Sequence, residues 1–143
     1  MRIRQISIFL ENRQGRLSAI CRALADAGIN IVTLSLADTA DFGIVRMIVD
    51  DFEKASAVLS AGGHVANVRE VVAACVPDRP GGMAEITQAL DEAGVNIEYS
   101  YAFSFRRGEK AVLVFRFDDN EKAEAALRKA GLATLDEADV LEQ

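Results

Sequence analysis

The chain has 143 residues, half of them hydrophobic, with a formal net charge of −6 and a pI near 4.8. That composition supports a packed core and argues against disorder. The acidic balance argues against a nucleic-acid partner, which requires Lys and Arg gathered on one face, and no apolar run approaches the roughly 18 residues of a membrane-spanning helix.

In chain order, residues 3–10 (IRQISIFL) form an apolar, β-rich run and predict a strand. They follow the start directly, with no secretory apolar region or cleavage site, so a cytoplasmic location is expected. Glu11 to Arg16 interrupt the run. Leu17, Ile20, Cys21, Leu24 and Ala27 then recur at helical spacing, and Gly28 closes the helix. Residues 29–37 and 43–49 predict two strands joined by a turn at Asp38–Asp41. Asp50 or Asp51 caps a second helix through Phe52, Ala55, Val58 and Leu59, ending at Gly62-Gly63. A fourth strand is expected over residues 64–71.

The order then repeats. Residues 71–76 predict a strand, and Met83, Ile86, Leu90 and Ala93 a helix ended by Gly94. Residues 95–105 and 111–117 predict a hairpin, and Asp118 or Asp119 opens a helix with Ala123, Ala126 and Leu127 on one face. A short strand at 132–135 and a terminal helical turn complete the chain. The repetition is literal: NRQGRLSAICRALADAGINI at 12–31 returns as DRPGGMAEITQALDEAGVNI at 78–97, with nine of twenty positions identical. Beyond the hairpin the offset grows from 66 to 68, and the added length is expected in the Arg106–Lys110 loop. Two domains follow, residues 1–70 and 71–143. Val65–Val76 reads as nearly continuous strand, which would hold the copies in a fixed relation.

Each copy has the order βαββαβ. The fold class is α+β: two ferredoxin-like units, each a four-stranded antiparallel sheet with two helices on one face. On the other face, alternation places Val32, Leu34 and Leu36 in one copy and Tyr99, Tyr101, Phe103 and Phe105 in the other. Those faces are expected to pack against the other copy or a second chain. An RNA-stacking role for the aromatic row is disfavoured by the acidic balance.

The loops between the first strand and first helix of each copy are the candidate sites. Their glycines allow close backbone approach, and a helix start presents N–H donors suited to a carboxylate. Asn12 or Asp78 beside them offers oxygens for an ammonium, although either residue equally serves as a helix cap. Asn30 and Asn96, after the helix-ending glycines, can likewise close a turn or reach a ligand. Cys21, Cys75 and His64 assemble neither a zinc site nor a nucleophile–base pair, and both cysteines are expected to be reduced and buried. Asp38 and Asp41 are two turn carboxylates, too few for a metal site. No enzyme, metal or cofactor is expected.

The pattern [N/D]-R-x-G-x-[L/M], an amphipathic helix and A-G-[I/V]-N-I, present twice in register, resembles the signature of ACT domains. The resemblance covers essentially the whole chain and implies a stand-alone tandem ACT protein. It implies binding of a small effector, usually an amino acid, where ACT units meet. Its contacts, carried over, are Asn12, Gln14, Gly15, Arg16, Leu17, Asn30 and Ile31 in copy one, and Asp78, Pro80, Gly81, Gly82, Met83, Asn96 and Ile97 in copy two. Gln14 stands where the family often has proline, and copy two has paired glycines, so the copies are not equivalent. Copy one is favoured because Asn12 and Asn30 offer two amides. The expected function is an amino-acid-sensing regulatory protein, assembled as a homo-oligomer, a dimer in the simplest case, with a regulated protein partner. The alternative is an assembly module that binds nothing small.

Overall fold

The computed structural model describes residues 2–38 and 40–142. Thr39 and the side chain of Asp38 lie outside the described residues, and with them the turn and carboxylate pair expected at Asp38–Asp41. The elements are β1 (Ile3–Glu11), α1 (Arg16–Asp26), β2 (Ile31–Asp38), β3 (Phe42–Val49), α2 (Phe52–Ala61), β4 (Ala66–Pro77), α3 (Gly82–Glu92), β5 (Ile97–Arg107), β6 (Lys110–Phe117), α4 (Asn120–Lys129), β7 (Thr134–Leu135) and α5 (Glu137–Leu141). The architecture is α+β, with the order βαββαβ written twice. The fourth strand of copy one and the first of copy two are one uninterrupted strand, β4. No helix among the described residues is long and apolar enough to cross a membrane.

The chain divides into two compact units. One is Arg4–Arg69; the other takes the chain from Glu70 onward together with Ile3 and the residues before it. In the first unit β3 pairs antiparallel with both β1 and β2. Ile6 and Ile8 of β1 and Val45, Met47 and Val49 of β3 share a face, and Ile20, Leu24, Ala55 and Leu59 of the two helices close over it. In the second unit β6 pairs with β4 and β5, and β7 adds to β4. Val72, Ala74, Val76, Phe115 and Phe117 meet Ile86, Leu90, Ala123 and Leu127. Full burial of each large apolar side chain contributes about 1.5–3 kcal/mol, which makes these two layers the main source of stability.

The paired aspartates after β3 and β6 divide their work identically in both copies. Asp51 and Asp119 are the N-caps of α2 and α4, accepting from Lys54 N at 3.1 Å and Lys122 N at 3.0 Å. Asp50 and Asp118 instead accept from Asn30 N at 2.9 Å and Asn96 N at 3.0 Å, and return their own N–H groups to the Asn30 and Asn96 carbonyls. Replacing either cap, Asp51→Ala or Asp119→Ala, is expected to lower stability by about 1 kcal/mol, read as a shifted urea midpoint with an unchanged slope.

Two expectations need correction. Strict alternation put Val32, Leu34 and Leu36 on the face away from the helices. The register slips between Ile31 and Thr33, so Leu34 and Leu36 lie opposite Met47 and Val45, and Ile31 and Leu34 pack on the helix-covered core. One inserted residue moves every later side chain to the other face. The second correction concerns the two added residues of copy two. Ala102 pairs with Leu113 and Arg106 with Ala111, so the extra length is a bulge within β5 and not in the Arg106–Lys110 loop. The rings of Phe103 and Phe105 meet there at 5.2 Å. Tyr99 and Tyr101, opposite Arg116 and Val114, lie on the face away from Phe115 and Phe117, as alternation required.

Candidate functional site

The two strand-to-helix loops share one backbone design. Gly15 and Gly81 are the N-caps of α1 and α3 at φ +89° and +87°, a left-handed conformation that disfavours any side chain. No side chain caps either helix, so Asn12 and Asp78 are not caps. A tight turn precedes each glycine: Arg13 N donates to Glu11 O at 2.8 Å, and Arg79 N to Pro77 O at 3.0 Å.

From there the copies diverge. In copy one the next bond, Arg16 N to Arg13 O, is 3.3 Å long; in copy two its counterpart, Gly82 N to Arg79 O, is 2.9 Å. The tighter turn brings Pro77 O so close to Gly82 that a Cβ there would lie 1.8 Å from it. Gly82 is buried against this carbonyl, whereas Arg16 extends from the loop, half exposed, with its Nη2 3.5 Å from Glu11 Oε1. Glu11 also accepts from Arg13 Nη1 at 3.1 Å.

Arg16 and Glu11 belong to a depression of about 330 Å³, whose other walls are Phe9, Leu10, Ile20, Phe42 and His64. That volume lies at the small end of the range for ligand sites, roughly 300–1,000 Å³. Phe9 is 63% and Phe42 55% exposed, so both rings face open space on its rim. The strand register identifies the counterparts in copy two. Glu11 pairs with Phe42 as Pro77 pairs with Lys110, and Phe9 with Ile44 as Cys75 with Val112. Copy two therefore has Cys75 for Phe9, Pro77 for Glu11, Gly82 for Arg16 and Lys110 for Phe42. Its own depression, about 490 Å³, is polar: Asp78, Arg79, Arg106, Glu109 and Lys110 line it with Pro77, and Arg106 Nη2 is tied to Asp78 Oδ2 at 2.9 Å.

A third depression in the second unit, about 500 Å³, contains Arg2, Glu124, Asp136 and Asp139. Its cation is already satisfied: Arg2 Nε donates to Glu124 Oε1 at 2.5 Å, the contact that raises the Arg2 pKa. Asp136 is committed to the capping box of α5, which holds its carboxyl below the usual range through the Asp139 N–H. Among the described residues no group of three or more His, Cys, Asp and Glu could hold a metal. Cys75 is buried, and desolvation pushes its thiol up, away from the thiolate a nucleophile requires. Cys21 is only partly covered.

A family model described as an ACT domain pair matches residues 1–143. The chain is an ACT domain pair. A crystal structure of a protein from Bacteroides thetaiotaomicron is 36% identical, with a TM-score of 0.92, over 100% of this chain and 98% of that one. The regulatory subunit of aspartate kinase from Thermus thermophilus, in its ligand-free form, is 22% identical with a TM-score of 0.68, covering 92% of each chain. Its counterpart from Thermus flavus is 24% identical with a TM-score of 0.62, again over 92% of each. These two likenesses speak to the fold. No curated protein sequence matches.

Within this ACT domain pair, the residues carried over from the resemblance fall into three groups. Arg16 lines the copy-one depression and Asp78 that of copy two. Gly15, Gly81 and Gly82 build the turns, with Gln14 and Pro80 beside them; Leu17 packs on the first core and Met83 stays exposed. Asn12 closes on the β2–β3 connection, its N–H on Asp41 O at 2.9 Å and its amide 3.5 Å from Ala40 O. Asn30 and Asn96 give their backbones to Asp50 and Asp118, and Ile31 and Ile97 pack on the two cores. Sequence reasoning missed Phe9, Leu10, Glu11, Ile20, Phe42 and His64. The one available signal was Glu11, an acid ending an apolar strand five residues before Arg16; the rest converge only through strand register.

Proposed function

We propose that this ACT domain pair is a regulatory protein that binds a free amino acid at the loop of its first unit. The observation that carries the reading is the Glu11–Arg16 pair at the mouth of the small depression. A guanidinium is the side chain best suited to grip a carboxylate with two parallel bonds, and a carboxylate beside it suits an ammonium. The pair is exposed and 3.5 Å apart, so opening it sacrifices at most about 1 kcal/mol. The second copy has lost each of these features, which supports one working site per chain. Of the family contacts, Arg16 is the principal ligand residue, with the amide of Asn12 in the same loop; Asn30, beyond α1 where β2 begins, stands at the other end of β3 from Phe42.

Effector binding shifts an equilibrium between arrangements of the protein, by no more than the effector's differential affinity for them. A homodimer that a protein partner reads is the assembly this function requires, and the shared fold with regulatory subunits of aspartate kinase is a precedent for ACT pairs in regulation. A cytoplasmic location suits a sensor of free amino acids.

A thermal-denaturation series with the twenty amino acids tests the reading. At least one is expected to raise the midpoint, by the equivalent of about 2.7 kcal/mol when present at 100 times its Kd. Arg16→Ala is expected to weaken that ligand roughly 10- to 100-fold while leaving the ligand-free midpoint within about a degree, because an exposed surface side chain contributes little to folding. Asn12→Ala is expected to weaken it less. No shift with any amino acid at millimolar concentration would overturn the reading and leave the assembly module.

A further inference from the structure

We propose that the amino acid selected by this site carries an aromatic side chain, held against Phe9 and Phe42. The inference rests on the reading of the Glu11–Arg16 depression as an amino-acid site.

Phe9 and Phe42 are two phenyl rings left largely in water, whereas Phe52, the third aromatic residue of the unit, packs on its core. They are not scattered. Phe9 lies opposite Ile44 and Phe42 opposite Glu11, which makes the two diagonal neighbours on one face of the β1–β3 pair. Such neighbours stand roughly 7–8 Å apart, close enough for one planar ring to rest against both. Leu10 and Ile20 line the helix-covered side of the depression, so the ligand ring rests on Phe9 and Phe42 themselves. Offset-stacked and edge-to-face contacts between rings add specificity beyond the area they bury.

The carboxylate and the guanidinium of the depression are taken by the head group, which leaves His64 as its remaining polar side chain. Glu11 takes the ammonium and Arg16 the carboxylate. An aspartate side chain laid over Phe9 and Phe42 would set its carboxylate against the negative faces of the rings, and an aliphatic lysine stem would cover less of them than a planar ring does. A glycine or alanine would leave the rings in water. The volume of about 330 Å³ suits one free amino acid and is small for a nucleotide or a peptide. The second copy supports the assignment by contrast, since it replaces both rings, with Cys75 and Lys110, where it also lacks the Glu and Arg.

Isothermal titration of the full chain with phenylalanine, tyrosine, tryptophan, leucine, alanine, aspartate and lysine tests this. An aromatic amino acid is expected to bind at least about 10-fold more tightly than alanine. Phe9→Ala and Phe42→Ala, both at exposed positions, should keep the circular dichroism spectrum of the parent and bring the aromatic-to-alanine affinity ratio towards one. Aspartate or lysine as the tightest ligand, or a ratio near one in the parent, would overturn the aromatic assignment while the amino-acid reading stands. Binding of none of the seven would remove both. A dimer that falls to monomer in Phe9→Ala or Phe42→Ala, with selectivity unchanged, would assign the rings to a second copy of the chain and overturn the proposal.

Discussion

Gly82→Ala is expected to destabilise the second unit by about 3 kcal/mol, and Gly82→Arg by more. The obstacle is backbone. A Cβ at position 82 would lie 1.8 Å from Pro77 O and 2.9 Å from Pro77 C, far inside contact distance. A flexible side chain would swing away, but Pro77 O is held by Arg79 N at 3.0 Å and Pro77 itself ends β4, paired with Lys110. Relief therefore requires the turn to open or α3 to move, and either breaks the 2.9 Å bond from Gly82 N to Arg79 O. The contrast with Gly15→Ala isolates the cause. Gly15 has nothing within 4 Å of a Cβ, so only its φ of +89° resists substitution, at about 1–2 kcal/mol. Urea unfolding monitored by circular dichroism measures both, and a Gly82→Ala loss below that of Gly15→Ala would show that the loop yields.

Phe115→Ala is expected to cost about 3–5 kcal/mol, the ordinary range for removing a fully buried aromatic ring. Phe115 and Phe117 are fully or almost fully buried on one face of β6, stacked at 5.4 Å with an 8° tilt, against Val72, Ile86, Leu90, Ala123 and Leu127. Both ends of the site are closed, by the helices above and by paired β4 and β5 at the sides, so collapse into the cavity is limited. Domains commonly have only 5–15 kcal/mol of stability, so this change should leave the second unit marginal at 37 °C. Phe115→Leu, which keeps most of the volume, should lose much less. The same Phe→Ala change at Phe9 should scarcely move the midpoint, because that ring is already in water. Equal losses at positions 9 and 115 would contradict the burial described.

Much of the fold is legible in the order of the residues because it depends on short-range rules. Gly28, Gly63, Gly94 and Gly131 all take positive φ where periodicity ends a helix. The adjacent aspartates at 50–51 and 118–119 announce helix starts, although only the coordinates show which of each pair caps. Alternation fails at Ile31–Thr33, where one added residue is absorbed inside a strand, and at Ala102–Arg106 two more are absorbed the same way without changing faces. Nothing local distinguishes a bulge from a loop insertion, because each choice depends on the partner strand.

The sequence by itself determined that this protein is a duplicated βαββαβ chain, that its two strand-to-helix loops are homologous, and that they differ at the positions held by Arg16 and Gly82. Repetition, helical and strand periods and glycine placement are properties of neighbouring residues, so they survive in one dimension. Only the tertiary structure decided what the difference means. Phe9, Glu11, Arg16 and Phe42 converge because β1 pairs with β3 in one particular register, and Gly82 is closed off because the end of β4 lies against the start of α3. Such convergence joins residues some thirty positions apart, through hydrogen bonds whose register no single residue encodes.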